Sequence, residues 1–379
     1  MPASGIEKGN LMKQGENRIS VWSIAAVFVG SLTGAGFASG REILQFFGVF
    51  HEYGFFGLII AIVLLIFFGF IIMYLGYALQ SGAYADIIVP YAGKTIKTAV
   101  EGVITISLFC TFTAMIAAAG AVFRQQFGIP SLVGSFVACI VAVFTVMKGL
   151  NVVIKSFSRI VPVLLFSAIG VSILSMIIVP ADAKAVHSIA LSPLVGNWLL
   201  SPLLYIACCL LSSSAILGLL GMKAGKQATV RGGAVLGGLC FGAGAAAIYF
   251  ALVRNLENAA AFDLPMMYLA GRIFPGLMLF YAITLLLGIY VTSVSCLFAA
   301  SFRISSIKGL NSRVIIPAAA FMAFLASTFG FADIIGYLYP IEGYVGMVVL
   351  ACLLYSFIRL LSSRRSKRER KDSGYSGVV

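Results

Sequence analysis

Charged residues are scarce in this sequence. Only 10% of the 379 residues are charged, 61% are hydrophobic, and the mean hydropathy is +1.05. This balance excludes a water-soluble globular domain. Apolar runs of roughly 20 residues recur along nearly the whole chain, and each is long enough to cross a bilayer as a helix. The sequence therefore predicts an all-α polytopic membrane protein with the lipid bilayer as its main partner.

Patterns that carry enzyme chemistry are also missing. The two histidines, His51 and His187, have no neighbouring cysteine or histidine at a spacing suited to zinc. No nucleophile with a base and an orienting acid stands out, and no phosphate-cradling loop is present, so neither an enzyme nor an ATP-driven pump is expected and no cofactor is predicted. The seven cysteines fall inside apolar runs and are interpreted as small packing residues.

Ten apolar runs are candidate transmembrane spans. They are predicted at residues 20–47, 55–80, 97–123, 131–147, 160–179, 197–220, 232–253, 275–302, 314–331 and 334–361. Most of the 26 basic residues then fall in alternate loops and in the two termini, so the positive-inside rule places both ends in the cytoplasm. The net charge of +13 therefore reports orientation and predicts no nucleic-acid partner.

The spans divide into two halves. Each half begins with a span whose composition predicts an interruption, so residues 20–179 and 180–361 are predicted to be inverted five-span repeats. Residues 1–19 are predicted as a cytoplasmic N-terminal segment, and residues 362–379 as a basic, disordered cytoplasmic tail. Anionic lipid headgroups are possible partners of this tail, although orientation alone also explains its charges.

Glycine and hydroxyl residues crowd the middle of span one in the run Gly30-Ser-Leu-Thr-Gly-Ala-Gly-Phe-Ala-Ser-Gly40. Glycine permits non-helical backbone, and unwound backbone at membrane depth survives only beside a cavity or a ligand. The run predicts a break that frees amides for a carboxylate and carbonyls for a cation. Close helix packing through Gly36 and Gly40, four residues apart, is the alternative.

Hydroxyl groups mark two further spans. Ser212, Ser213 and Ser214 are consecutive in span six, and symmetry with span one predicts a second broken helix there. Thr292 and Ser293 are adjacent in span eight and suit sodium, which needs several neutral or anionic oxygens. In both spans the alternative is a hydroxyl that bonds back to its own helix.

Two opposite charges lie in the outer half of this topology. A lone charge within a span is costly, so Arg41 and Glu342 are predicted to pair across the outer vestibule as a gate. The alternative is two charges that face water independently. The outer connection 254–274 is long enough to hold a short helix and to act as a lid.

The chain resembles the uncharacterised YkvI-type membrane proteins of bacilli. The resemblance rests on residues 30–47, on Thr292-Ser293 and on the stretch ADIIGYLYPIEGYVG that ends at Gly346. It covers most of the chain and implies a distant member of the amino acid, polyamine and organocation transporter superfamily, whose fold is the five-plus-five inverted repeat of LeuT with broken helices one and six. It also implies a multi-pass protein of the bacterial plasma membrane.

The resemblance implies two sets of site residues. Sodium would be bound by the carbonyls of Gly30, Thr33 and Ile289 and by the hydroxyls of Thr292 and Ser293. Proton-coupled relatives carry a lysine of span five at that position, whereas Lys155 precedes the span here, which favours sodium. The implied substrate-binding residues are Gly34, Ala35, Gly36, Phe109, Phe112, Ser212, Ser213 and Ser214.

The leading hypothesis is therefore a sodium-coupled symporter of a small amino acid or related organic solute, working by alternating access. A transporter coupled to protons is the second hypothesis. A membrane sensor that binds its ligand without moving it is a third, from a different class.

Overall fold

The computed structural model describes residues 19–81, 84–148, 151–181, 192–308 and 311–372, and every regular element in these ranges is a helix. Ten helical units follow one another where the sequence predicts spans one to ten. They are Val21–Leu32 with Ala35–Ser39 and Arg41–Phe46, Glu52–Leu79, Lys94–Phe127, Ser131–Lys148, Asn151–Ile178, Ser201–Met222, Gln227–Arg254, Pro275–Lys308, Ser312–Ser327, and Phe331–Asp333 continued by Ile334–Leu338 and Tyr339–Asp372.

Length and composition identify most of these units as membrane spans. Among the described residues, six helices are long and apolar enough to cross a membrane, and the bent sixth unit brings the number to seven. The remaining three units contain shorter apolar helices, at Val21–Leu32, Pro162–Ile178 and Arg313–Ser327. The protein is thus a multi-pass membrane protein.

Span one is broken where its glycines cluster. The first helix, capped by Ser20, ends at Leu32, and Gly34 is extended before the short helix Ala35–Ser39 begins. Gly40 then has a φ of 80°, a left-handed conformation that favours glycine, and turns the chain into Arg41–Phe46. The predicted break in span one is confirmed.

Span six is bent by 60° between Ser201–Ser214 and Ile216–Met222. Glycines bring its backbone against spans two and ten, because a Cβ at these positions would overlap a carbonyl group of the neighbouring helix. In each pair a Cβ on the first residue would overlap the carbonyl of the second; the pairs are Gly76 and Gly218, Gly221 and Met73, Gly343 and Leu204, and Gly346 and Ala207. Span six is therefore held on two sides, and it also contacts spans one and three.

The last span is longer than predicted. Its helix continues to Asp372, whereas the sequence predicts disorder from residue 362. The added turns are rich in arginine and lysine, which are good helix formers and can extend a helix into water. The N-terminal segment and the end of the tail lie outside the described residues.

Candidate functional site

The break in span one changes which backbone groups are bonded. The Gly34 N–H donates to the Leu32 carbonyl at 3.1 Å, instead of to the Gly30 carbonyl that a regular helix would supply. The Ser31 carbonyl accepts a 2.7 Å hydrogen bond from Ser213 Oγ of span six. The Gly30 carbonyl is thereby released from its helical bond, whereas the Ser31 carbonyl is bonded across to span six.

The glycines at the break face different surroundings. No described atom lies within 4 Å of the position that a Cβ on Gly34 would occupy, so this face of the break borders open space. A Cβ on Gly36 would instead overlap Oε1 of Glu42 and lie 2.8 Å from its Cδ. Ala35, between them, is buried. Only Gly34 of these three residues faces a space that a ligand can enter.

The three serines of span six have three different partners. Ser212 Oγ lies 3.2 Å from Ser107 Oγ and 3.4 Å from Thr111 Oγ1, both in span three. Ser213 reaches span one, as described above, and Ser214 bonds back to Leu211 of its own helix at 2.9 Å. The bend therefore carries one hydroxyl to span three and one to span one, while the third is satisfied locally.

The face of span three that contacts span six is polar. Ser107 and Thr111 are four residues apart and share this face, whereas Phe109 lies on the opposite side at about 100° per residue. Phe112 is fully buried, about a quarter-turn from Thr111. The substrate-binding role of Phe109 and Phe112 stays a prediction, while the face of span three that contacts Ser212 is hydroxylic.

Two acidic side chains complete this polar centre. Oε2 of Glu342, from span ten, accepts hydrogen bonds from Ser107 Oγ at 3.1 Å and from Cys208 Sγ at 3.5 Å. Oε2 of Glu42, from span one, accepts from Tyr205 OH at 3.4 Å. Spans one, three, six and ten thus meet at a buried group of hydroxyls, thiols and carboxyls.

Span eight carries the predicted hydroxyl pair, Thr292 and Ser293. Ser293 is 1% exposed, and its Oγ has no hydrogen-bond partner among the described residues. Thr292 is half-buried and Ile289 is buried. Span eight is fixed to the outer part of span one by a hydrogen bond from Tyr281 OH to the Ala38 carbonyl. A buried hydroxyl with a free lone pair is suited to ligate a cation.

Span five packs on span eight without a charged group in the described contacts. Ser167 Oγ lies 3.4 Å from Thr284 Oγ1, and Leu164 covers the Cα of Gly288. The side chain of Lys155 lies outside the described residues. The contacts between spans five and eight therefore consist of hydroxyl and apolar groups.

Arg41 and Glu342 do not form the predicted pair. Arg41 Nη1 donates to the carbonyls of Ala260 and Phe262, both at 3.2 Å, in the loop after span seven that is predicted to be outer. Glu342 is buried against span three and span six instead. The sequence predicts both residues in the outer half of the membrane. It does not predict how far apart their two helices lie in the membrane plane.

The loop after span seven also contacts span three. Its short helices are Leu256–Ala260 and Pro265–Ile273, and between them Asp263 forms an ion pair with Arg124. Gln125 Nε2 donates to the Leu264 carbonyl at 3.2 Å, and the Leu264 N–H donates to Gln125 Oε1 at 3.3 Å. The loop thus joins span one to span three on the side predicted to be outer.

Sequence reasoning missed Ser107, Thr111, Tyr205 and Cys208, and it did not place Glu42 in the site. The available signal was Glu42 itself, since a carboxyl in an apolar span marks a functional position. The other four are ordinary residues of membrane helices, and only their contacts identify them.

Sequence comparison finds relatives of undefined activity. No family model matches the chain. It is 25% identical to the uncharacterized membrane protein YkvI of Bacillus subtilis (strain 168) over 340 residues, which cover 89% of this chain and 96% of YkvI. It is 28% identical to the uncharacterized protein YyaD of the same organism over 328 residues, which cover 86% of this chain and 94% of YyaD. The resemblance to YkvI is confirmed.

Solved transporter structures match the architecture. The inward-facing conformation of Mhp1 gives a TM-score of 0.61 at 14% identity, covering 89% of this chain and 76% of Mhp1. MhsT in complex with L-phenylalanine gives 0.62 at 17% identity, with 89% of both chains covered. The chain has the LeuT fold. A manganese transporter of Eremococcus coleocola gives 0.59 at 12% identity, covering 100% of this chain and 91% of that one.

The predicted fold class is therefore confirmed, including the broken span one and the bent span six. In this fold the interrupted helices surround the ligand at mid-membrane. The open space beside Gly34 and the polar group around Ser212 lie at these interruptions. These residues form the candidate site.

Proposed function

We propose that this protein is a secondary active transporter, a sodium-coupled symporter of a small amino acid or related organic solute. It works by alternating access in the bacterial plasma membrane, with both termini in the cytoplasm. The observation that carries the proposal is the break at Thr33–Gly34, which opens onto free space in a fold built around interrupted helices. A protein with only a structural role would have no use for unwound backbone at this depth.

Two features support sodium as the coupling ion. Ser293 supplies a buried hydroxyl without a partner in the described residues, and the break releases the Gly30 carbonyl from its helical bond. Sodium is bound by several neutral or anionic oxygens, and carbonyls with hydroxyls meet this need without another charge.

A proton-coupled transporter is the second candidate. The buried carboxyls of Glu42 and Glu342 favour it, since protonatable side chains inside membrane spans often serve as proton relays. The two candidates make different predictions for span eight, because proton coupling does not require the hydroxyl of Ser293.

Uptake into liposomes tests the proposal. The purified full chain would be reconstituted and screened with radiolabelled amino acids under an imposed sodium gradient, and separately under a proton gradient. We expect sodium-dependent uptake that is lost in a Thr292→Ala, Ser293→Ala variant.

Ser295→Ala is the matched control. Its hydroxyl lies in the same helix but is satisfied by the Val291 carbonyl at 2.8 Å, so uptake should be unchanged. Uptake driven only by protons would favour the second candidate, and binding without flux would favour a sensor.

A further inference from the structure

Two carboxyl groups are buried in the apolar interior of the protein. Glu42 is 5% exposed and Glu342 is 6% exposed. Neither carboxyl forms an ion pair with a basic side chain among the residues that the structure describes. A buried carboxyl without a cation is costly, and such groups mark binding sites within membranes.

One oxygen of Glu342 has no partner in the described part of the chain. Oε2 is bonded to Ser107 and Cys208, but Oε1 is buried and has no hydrogen-bond partner among the described residues. The helix turn that precedes it, Ile334–Leu338, is a π-helix, an irregularity frequent at functional sites. Two independent features thus single out this position.

Glu42 approaches the same part of span six from span one. Tyr205 donates to its Oε2, and Oε1 lies against the Cα of Gly36. Cys208 lies within electrostatic range of both carboxyls. The two acids therefore flank one segment of span six, beside the break in span one.

A group of hydroxyls lies beside the carboxyl of Glu342. The hydroxyls of Ser107, Thr111 and Ser212 form a connected group next to Glu342, and each has lone pairs that can accept. A protonated amine carries three donors and a positive charge, so it satisfies both the carboxyl and the hydroxyls.

We propose that Glu42 and Glu342 form the anionic end of the substrate site and bind the ammonium group of a cationic substrate, a basic amino acid or a diamine. This inference rests on the proposed transport function, since it names the substrate class of the same site. The ammonium contacts Glu342 Oε1, and Glu42 adds a second negative charge close by.

Matched pairs of probes test the charge requirement. L-lysine and L-norleucine share the same carbon skeleton and differ by the side-chain ammonium, and cadaverine tests an amine without a carboxylate. Equilibrium binding to the purified full chain in detergent should be about 10- to 100-fold tighter for L-lysine than for L-norleucine, the factor expected for a hydrogen bond to a charged group.

Variants then assign the effect to the acids. Glu342→Gln keeps the shape of the side chain and should remove most of the preference for L-lysine, with Glu42→Gln giving a smaller loss. Glu52→Gln, at an exposed carboxyl, should leave the preference unchanged. Because the comparison of L-lysine with L-norleucine uses the wild-type protein, it stands even if a variant fails to fold.

Four results would overturn the inference. The first is binding of L-norleucine that is as tight as that of L-lysine or tighter, and the second is that neither L-lysine nor cadaverine binds. The third is an unchanged preference for L-lysine in Glu342→Gln, and the fourth is binding of Mn²⁺ in place of the amines. Sodium-dependent uptake of neutral amino acids alone would retain the proposed function and reject the cationic substrate. Binding of L-lysine without flux would retain the cationic ligand and reject the proposed transport function.

Discussion

We expect substitution by alanine to have opposite effects on stability at Gly34 and at Gly36, the two glycines at the break. Gly34 has φ −87° and ψ −179°, which any residue adopts, and its Cβ position is open. Gly34→Ala should therefore be neutral or stabilise by about 0.4–1 kcal/mol, since alanine restricts the unfolded chain. Gly36→Ala would push the carboxyl of Glu42 away from Tyr205, and overpacking of this kind costs about 1–3 kcal/mol.

The expected difference in stability is then about 2 kcal/mol in favour of Gly34→Ala. Thermal unfolding can be followed with a thiol-reactive dye, because Cys139, Cys208 and Cys296 are buried free thiols that become reactive on unfolding. Gly170→Ala, at another open glycine, controls for the change of residue.

Uptake separates stability from function. The methyl group of Gly34→Ala would enter the space proposed for the substrate, so uptake in liposomes should fall although the protein remains as stable as the wild type. If Gly34→Ala unfolded at a lower temperature than Gly36→Ala, the open space beside Gly34 would be refuted, and with it the location of the site.

Four further substitutions test the packing around the site. Ser213→Ala leaves a carbonyl of span one without its partner and should cost about 1–3 kcal/mol, whereas Ser214→Ala, bonded within its own helix, should be near neutral in the same thermal assay. Gly221→Ala would place a Cβ against the Met73 carbonyl of span two and should lower the unfolding temperature most, because neither backbone can yield. Arg41→Gln should increase hydrogen exchange in the outer loop after span seven, and unchanged exchange would contradict its role there.

The sequence predicts the break in span one because the cause is local. Glycine conformation and the cost of unpaired backbone act within a few residues, so Gly34 and Gly40 specify the interruption wherever the helix packs. The spans are predicted for the same reason, since hydropathy and length are properties of each segment.

Contacts between distant helices depend on rotation and tilt, which composition does not encode. Ser212 and Ser213 are neighbours in sequence but bond to different spans. Arg41 bonds to carbonyls of a loop more than 200 residues away, and no charge pattern predicts a backbone partner. The pairing of Arg41 with Glu342 was wrong because a shared depth does not imply a shared position.

The contacts of the loop after span seven are individually weak. Arg124 is 60% exposed, so its ion pair with Asp263 contributes about 0–1 kcal/mol, and each hydrogen bond of Gln125 or Arg41 contributes about 0.5–1.5 kcal/mol. A ligand that prefers one state by about 5.5 kcal/mol can invert a two-state population. Under the proposed transport function, binding of a solute and an ion together supplies energy on this scale, so the loop can close and open again in each cycle. The close glycine contacts of span six with spans two and ten are different, because they join backbones and leave no room to slide, and we expect these three spans to move as one body.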